Sequence, residues 1–255
     1  MRATTTAATL FLIGNFLIAN VLKAQDTMYT YKAGSVVAKR AIIDIDSVIF
    51  YPATPGSFTC GGTLAITHTI GIVAPESKSV NYGTVTTSLS GASKCWITQN
   101  LGSTNQASSA TDNTDAAAGW YWQFNRKQGY KDGTTPAWTI TSINESSDWL
   151  AANDPCTIEL GTGWRIPTQT EWTNADANGP WANYTDTYNS VLKLHAAGYL
   201  YYTGGLLDGR GAIGYYWSSS QSSSADGWDL NFDSGDSYLN YGFKAYGFSV
   251  RCLRD

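Results

Sequence analysis

The sequence predicts an α+β fold, on three observations. Helix signals are few and precede residue 190, strand and turn signals dominate after it, and the two do not alternate as they would around a parallel sheet. Two capping boxes mark the helices. Ser142-Ile143-Asn144-Glu145 precedes Trp149 and Leu150 and is stopped by Asp154-Pro155, while Thr168-Gln169-Thr170-Glu171 follows Pro167 and opens a helix carrying Trp172. The best strands are 191–200, 214–219, 228–232 and 248–252. The 25 glycines and many Ser, Thr and Asn residues favour turns and short strands. A chain of 255 residues makes one or two domains and buries about 70% of its unfolded surface.

The N-terminus reads as an export signal over residues 1–24. Arg2 supplies the charge, Leu10 to Leu22 the apolar run, and Leu22-Lys23-Ala24 a cleavage site before Gln25. Gly14, Asn15 and Asn20 interrupt that run, which is short for a membrane span of about 20 residues. Residues 25–55 form a β-rich leader or attachment segment, expected as a hairpin turning at Ala33-Gly34-Ser35 plus a strand around Ile43 to Ile49. Pro52, Pro55 and Gly56 separate it from a β-leaning linker region, 56–92. Residues 93–255, rich in Trp, form the main domain.

The charge balance excludes one class of partner. Sixteen Lys and Arg against 20 Asp and Glu leave a net charge of −4, which offers no basic field to a phosphate backbone. Export implies an oxidising compartment, so Cys60, Cys95, Cys156 and Cys252 are expected in disulfides. No CxxC pair points to zinc, and the three possible pairings stay open on the cysteines alone.

GWRIPTQTEW (163–172), GYYWSSS (214–220) and GFSVRCLRD (247–255) together resemble the Fibrobacter succinogenes major paralogous (FISUMP) domain. That family is of the C-type-lectin-like fold and distantly related to formylglycine-generating enzymes. KCWITQNLG (94–102) and GWYWQFNRKQGY (119–130) stand where such domains begin. The resemblance implies paired N- and C-terminal strands, two helices and a long looped region carrying the binding surface. Because it implies that GWRIPT and GFSVRC pack together, it also implies a Cys156–Cys252 bond, leaving Cys60 with Cys95. Trp164, Trp172 and Trp217 are expected in the core, and Arg165 and Arg251 beside buried acids such as Glu171.

Catalytic patterns are absent or unconvincing. Gly209-Arg210-Gly211-Ala212-Ile213-Gly214 matches GxGxxG, but a strand rather than a helix follows, so its glycines make turns. His68 and His195 lie far apart, with no HExxH and no GxSxG elbow. His195, between inward Leu194 and Ala196, is expected to face outward. The late cysteine pair of formylglycine-generating enzymes has no counterpart, since only Cys252 follows Cys156. The Glu-Pro-Asn and Trp-Asn-Asp triplets of calcium-dependent lectins do not occur either. Asp226, Asp229, Asp233 and Asp236 have the oxygen chemistry of a hard-cation site, but solvated loop acids are preferred. No enzymatic activity, cofactor or metal is expected.

The final fifty residues carry the candidate binding surface. Trp228, Leu230 and Phe232 alternate with Asp229, Asn231 and Asp233, the pattern of a half-buried strand. Tyr238, Asn240, Tyr241, Phe243 and Tyr246 then crowd together without a core period, in the Tyr-, Ser-, Gly- and Asn-rich vocabulary of paratopes. With Ser223, Asp226 and Asp236 these make up the expected contact set. The segment also resembles the variable region of diversity-generating retroelement proteins, in which asparagine codons are rewritten at adenines. Such rewriting cannot produce Lys, Glu, Gln, Met or Trp, and residues 236–246 contain none of these except Lys244, which would be a fixed position. The expectation is a secreted or surface-exposed adhesin-like protein that binds a surface protein or glycan, does not bind nucleic acid, and meets the membrane only during export. A structural component of a surface assembly, attached through 25–55, is the alternative; a diverged enzyme ranks third.

Overall fold

The computed structural model describes the backbone of residues 27–32 and 35–41, and residues 58–132 and 135–255 in full. The expected signal segment, the turn at Ala33-Gly34 and the strand around 43–49 lie outside the described residues. The chain divides into two units, 1–56 and 57–255. In the first, strands β1 (Thr27–Lys32) and β2 (Ser35–Ala41) pair antiparallel, with an irregularity at Thr30/Tyr31, as the expected hairpin.

The second unit is a mixed α+β structure built on two sheets. One contains β3 (Thr63–His68), β4 (Lys78–Thr87), β5 (Lys94–Ile97), β15 (Leu253–Arg254) and β8 (Trp164–Arg165), in that order. Strands β3 and β4 therefore belong to the same unit as the residues after 93, and the stretch expected as a linker is part of the sheet. In β4, Val80, Tyr82 and Thr84 are buried at every second position, the period that turns one strand face to the core. The last strand, β15, pairs with β5 through Leu253–Trp96 and Arg254–Cys95, so the start and end of the 93–255 stretch meet as expected.

The other sheet has the order β13-β12-β11-β14-β6-β7, with β6 at Tyr121–Trp122, β7 at Gly129–Tyr130, β11 at Gly214–Gln221, β12 at Asp226–Phe232, β13 at Ser237–Phe243 and β14 at Phe248–Ser249. Its neighbours are antiparallel except β11 and β14. A two-stranded piece joins β9 (Tyr199–Leu200) to β10 (Leu207–Asp208).

The described helices are α1 (Asp115–Ala118), α2 (Pro155–Leu160), α3 (Gln169–Asn178) and α4 (Tyr184–Asn189), more than the two expected. The first capping box opens no helix. Residues 142–150 run without regular structure beside the second sheet, where Glu145 and Trp149 donate backbone N–H groups to Ser224 and Ser219. Glu145 is engaged by Arg126 and Asn125. The helix starts later because Asp154 caps it, accepting from the N–H groups of Cys156 and Thr157, with Pro155 at the first position, where its missing N–H costs nothing. The second box is present in α3: Thr168 accepts from Glu171 N–H, and the Glu171 carboxylate accepts from Thr168 N–H. Glu171 also accepts two 2.7 Å bonds from Arg165.

Aromatic rings dominate the core. One cluster gathers Trp120, Trp122, Phe124, Trp149, Trp164, Trp217 and Phe248; a second gathers Trp96, Trp172, Trp181, Leu192, Leu194, Tyr216, Leu230 and Phe232. Trp172 joins them by donating its indole N–H to the Trp217 carbonyl. Disulfides Cys60–Cys95 and Cys156–Cys252 brace the unit, the second tying α2 to the segment before β15. Three expectations from the sequence do not hold. His195 is fully buried, because the whole 194–197 segment is enclosed and not merely its alternate residues. Arg251 is also buried and meets no acid among the described residues: it donates to the Ile97 and Leu192 carbonyls and to Asn100 Oδ1. The expected strand 191–200 shrinks to Tyr199–Leu200, with Lys193 in a left-handed conformation (φ 53°) that extended pairing does not allow.

Candidate functional site

Register sets the site. Tyr215, Asn231 and Tyr238 stand opposite one another across β11, β12 and β13, and so do Trp217, Asp229 and Asn240. Directly opposed residues share a sheet face, so both rows lie on one side. The intervening rows, Tyr216–Leu230–Leu239 and Gly214–Phe232–Ser237, turn to the other side. There Tyr216, Leu230, Leu239 and Phe232 join Trp172 in the second core cluster.

The alternation read from the sequence is therefore correct for Leu230 and Phe232, but the opposite face is not open to solvent. Phe248 stacks on Tyr215 at 4.7 Å and 23°, and Tyr246 stacks on Phe248 at 5.5 Å and 19°. Tyr199 stands nearly perpendicular to all three rings: 71° to Tyr215, 77° to Tyr246 and 88° to Phe248. These rings, with Asn240, Tyr241 and Gly242, line a cavity of about 150 Å³ over Asp229. Asp229 and Asn231, expected as exposed contacts, are consequently buried at 0% and 4% exposure. Trp228, expected in the core, is only half-buried, edge-on to exposed Tyr241.

Asp229 is the chemical anomaly of this cavity. Neither carboxylate oxygen has a hydrogen-bond partner among the described residues. Burial without a partner disfavours the charged form and raises its pKa well above the ordinary carboxyl range. Burial likewise raises the phenols around it: Tyr215 upward, Tyr246 to about 12, and Tyr199 upward as well, where a hydrogen bond to Asp208 adds to the effect.

The other acids do not join Asp229. Asp226 accepts from the Ser223 hydroxyl, and that hydroxyl accepts from the N–H groups of Ala225 and Asp226, closing the β11–β12 turn. Asp233 accepts from the N–H groups of Gly235 and Asp236, closing the β12–β13 turn. Seven residues of extended chain hold these two turns roughly 23 Å apart. Among the described residues, no three His, Cys, Asp or Glu side chains converge as metal ligands.

Tyr238, Tyr241 and Phe243 are 45%, 57% and 51% exposed on β13, the edge strand of the sheet. They do belong to a strand, which the sequence did not suggest. Phe243 also borders a second cavity of about 270 Å³ with Ile143, Tyr202, Ala225 and Ala245. Tyr202 is edge-on to both Phe243 and Tyr246. Tyr199, Tyr202, Tyr215 and Phe248 thus join the site without having been singled out for it. The signal for two of them was the run Gly198-Tyr199-Leu200-Tyr201-Tyr202, too aromatic for an ordinary surface strand.

A third cavity, about 330 Å³, lies elsewhere between Glu76, Lys78, Asp115, Trp120 and Lys131. Its charges already have partners: Glu76 bonds Lys78 and Lys131, and Asp115 bonds Arg210. Neither histidine lines any of the three cavities. His68 is held between Glu159 (2.6 Å) and the Tyr82 hydroxyl (2.8 Å). Among the described residues, no helix is long and apolar enough to cross a membrane.

Residues 177–253, which contain the aromatic face and Asp229, match a family described as a domain of unknown function (DUF8237). Neither a curated protein nor a solved structure matches the chain significantly.

Proposed function

We propose that this chain is an exported, non-enzymatic binding protein of C-type-lectin-like fold that meets a surface protein or glycan through the aromatic edge formed by β13 and the cavity beside it. The observation that carries the reading is the set of exposed rings on β13. Tyr238 and Tyr241, on opposite sides of the sheet, and Phe243 at the strand's end all project into solvent from this edge strand. Exposed aromatic rings on a rigid element give contact area at low entropic cost. Two disulfides agree with an oxidising compartment.

The environment of Lys244 supports a diversified surface. Its ammonium is buried, donating to the Glu145 carbonyl (2.6 Å) and to Gln221 Oε1 (3.1 Å). A residue with that role must stay constant, while Tyr238, Tyr241 and Phe243 around it are free to change. A near-copy of the codons for this segment, differing at adenines and lying beside a reverse transcriptase gene, would be the genomic counterpart.

The test is a glycan and protein array probed with the mature protein and with a Tyr238→Ala/Tyr241→Ala/Phe243→Ala variant. Captured ligands should be lost by the variant, with hot-spot rings costing about 2 kcal/mol or more. Undiminished binding by the variant would remove these rings from the contact face.

A further inference from the structure

We propose that the cavity over Asp229 binds an organic ammonium ion, with the rings of Tyr199, Tyr215, Tyr246 and Phe248 as walls and the Asp229 carboxylate as counter-charge. The inference rests on the ligand-binding reading above and names the chemistry of its ligand.

Three features select that chemistry. The first is size: at about 150 Å³ the cavity suits a small head group, well below the roughly 300–1,000 Å³ of drug-sized sites. The second is the arrangement of rings. Tyr215, Phe248 and Tyr246 stack in near-parallel order and Tyr199 stands across them, an aromatic wall along the cavity. Ring faces carry negative potential and attract alkylammonium groups. The third is the unpartnered carboxylate. Among the described residues, no Lys, Arg or His lines the cavity to supply a counter-ion.

Gly242 stands between the cavity and the buried carboxylate. A Cβ at that position would lie 3.5 Å from Asp229 Oδ2 and 3.0 Å from the Phe248 ring, so a larger residue would fill the space between cavity and carboxylate. An anion would meet both the acid and the ring faces, and a neutral apolar group would leave Asp229 as costly as before.

Binding should depend on pH with a definite sign. A cation favours ionised Asp229, which burial otherwise disfavours, so affinity falls as pH drops through the raised pKa of this carboxyl. The titratable groups facing it are phenols: Tyr215 on β11, Tyr241 on β13, Tyr199 on β9, and Tyr246. Farther out, Asp208 accepts from Tyr199, and Asp233 and Tyr238 act on Tyr215. A quaternary probe carries no proton of its own.

The experiment is calorimetric titration of the mature protein with choline, with its neutral carbon isostere dimethylbutanol, and with a short lysine peptide. Choline should bind saturably and the isostere at least roughly tenfold more weakly. The peptide arm tells a free head group from a protein side chain as source. Asp229→Asn should lose choline to the same degree while still melting cooperatively, and Gly242→Val should block both choline and the isostere. Should Asp229→Asn fail to fold, the pH series on the unaltered protein decides, because affinity unchanged across the acid range overturns the proposal. Equal binding of choline and isostere, or no choline binding, also overturns it. If array ligands depend on Tyr238 and Phe243 while choline is ignored, only the ammonium inference falls. If no array ligand depends on those rings, the contact-face reading falls whatever choline does.

Discussion

The two faces of the β11–β12–β13 sheet are built from alternate residues of the same three strands, yet they obey different rules. On the α3 side, Tyr216, Leu230 and Phe232 are apolar or satisfied and pack against Trp172, Leu192 and Leu194. Even the Tyr216 hydroxyl is used, donating to the His195 carbonyl at 2.9 Å. On the other side, Tyr215, Asp229 and Asn240 meet a wall of rings that encloses a cavity, and a carboxylate goes unpaired. Both faces bury core rings, Trp217 and Phe248 among them on the second, but the second also carries a local cost of the kind that persists at binding sites.

Four substitutions can break or sharpen this contrast. The largest effect is expected on the α3 side. Trp172→Ala removes a fully buried ring and its hydrogen bond to Trp217, and should destabilise by about 3–5 kcal/mol in denaturant titration. A much smaller loss would mean that this face is not the principal core.

On the cavity side, Asp229→Asn should act in the opposite direction and raise stability at neutral pH by about 1–3 kcal/mol. It should also alter the pH profile. The folded state keeps a proton on Asp229 that the unfolded chain releases above a pKa of about 3.9. That contribution is fully present below the unfolded pKa and is lost as pH rises through the raised folded value. The unaltered protein should therefore lose stability over that window relative to Asp229→Asn. Parallel melting curves at each pH would show that Asp229 is not held neutral.

Tyr246→Ala should cost about 1–2 kcal/mol, because its ring stacks on Phe248 and Phe243 and meets Tyr199 edge-on. It belongs to the wall as much as to the contact surface. Tyr238→Ala is the smallest change, within about 0.5 kcal/mol in stability, since nearly half of the residue is in solvent. A larger loss would place Tyr238 in the packing of the face.

Much of the frame was legible in the sequence because it depends on local chemistry. The Thr168–Glu171 box needs only a hydroxyl and a carboxylate three residues apart at a helix start. Strands β11 and β12 declared themselves by aromatic residues and period-two alternation. The 142–145 box has the same local pattern as the true one and still failed, because Arg126, Asn125 and Ser224 offered its groups better partners from elsewhere in the chain.

The sequence by itself thus determined which residues could alternate, cap and cross-link, and it placed Tyr238, Tyr241 and Phe243 at the surface. Only the tertiary structure decided which sheet face would be covered a second time. Asp229 alternates with Trp228 and Leu230 and so reads as solvent-facing; that pattern records the direction of a side chain, not what lies beyond it. The placing of Phe248 beside β11 on strand β14, with Tyr246 stacked on it, and the arrival of Tyr199 from β9 are long-range events with no local signature. They converted an outward carboxylate into a buried one at the base of an aromatic cavity.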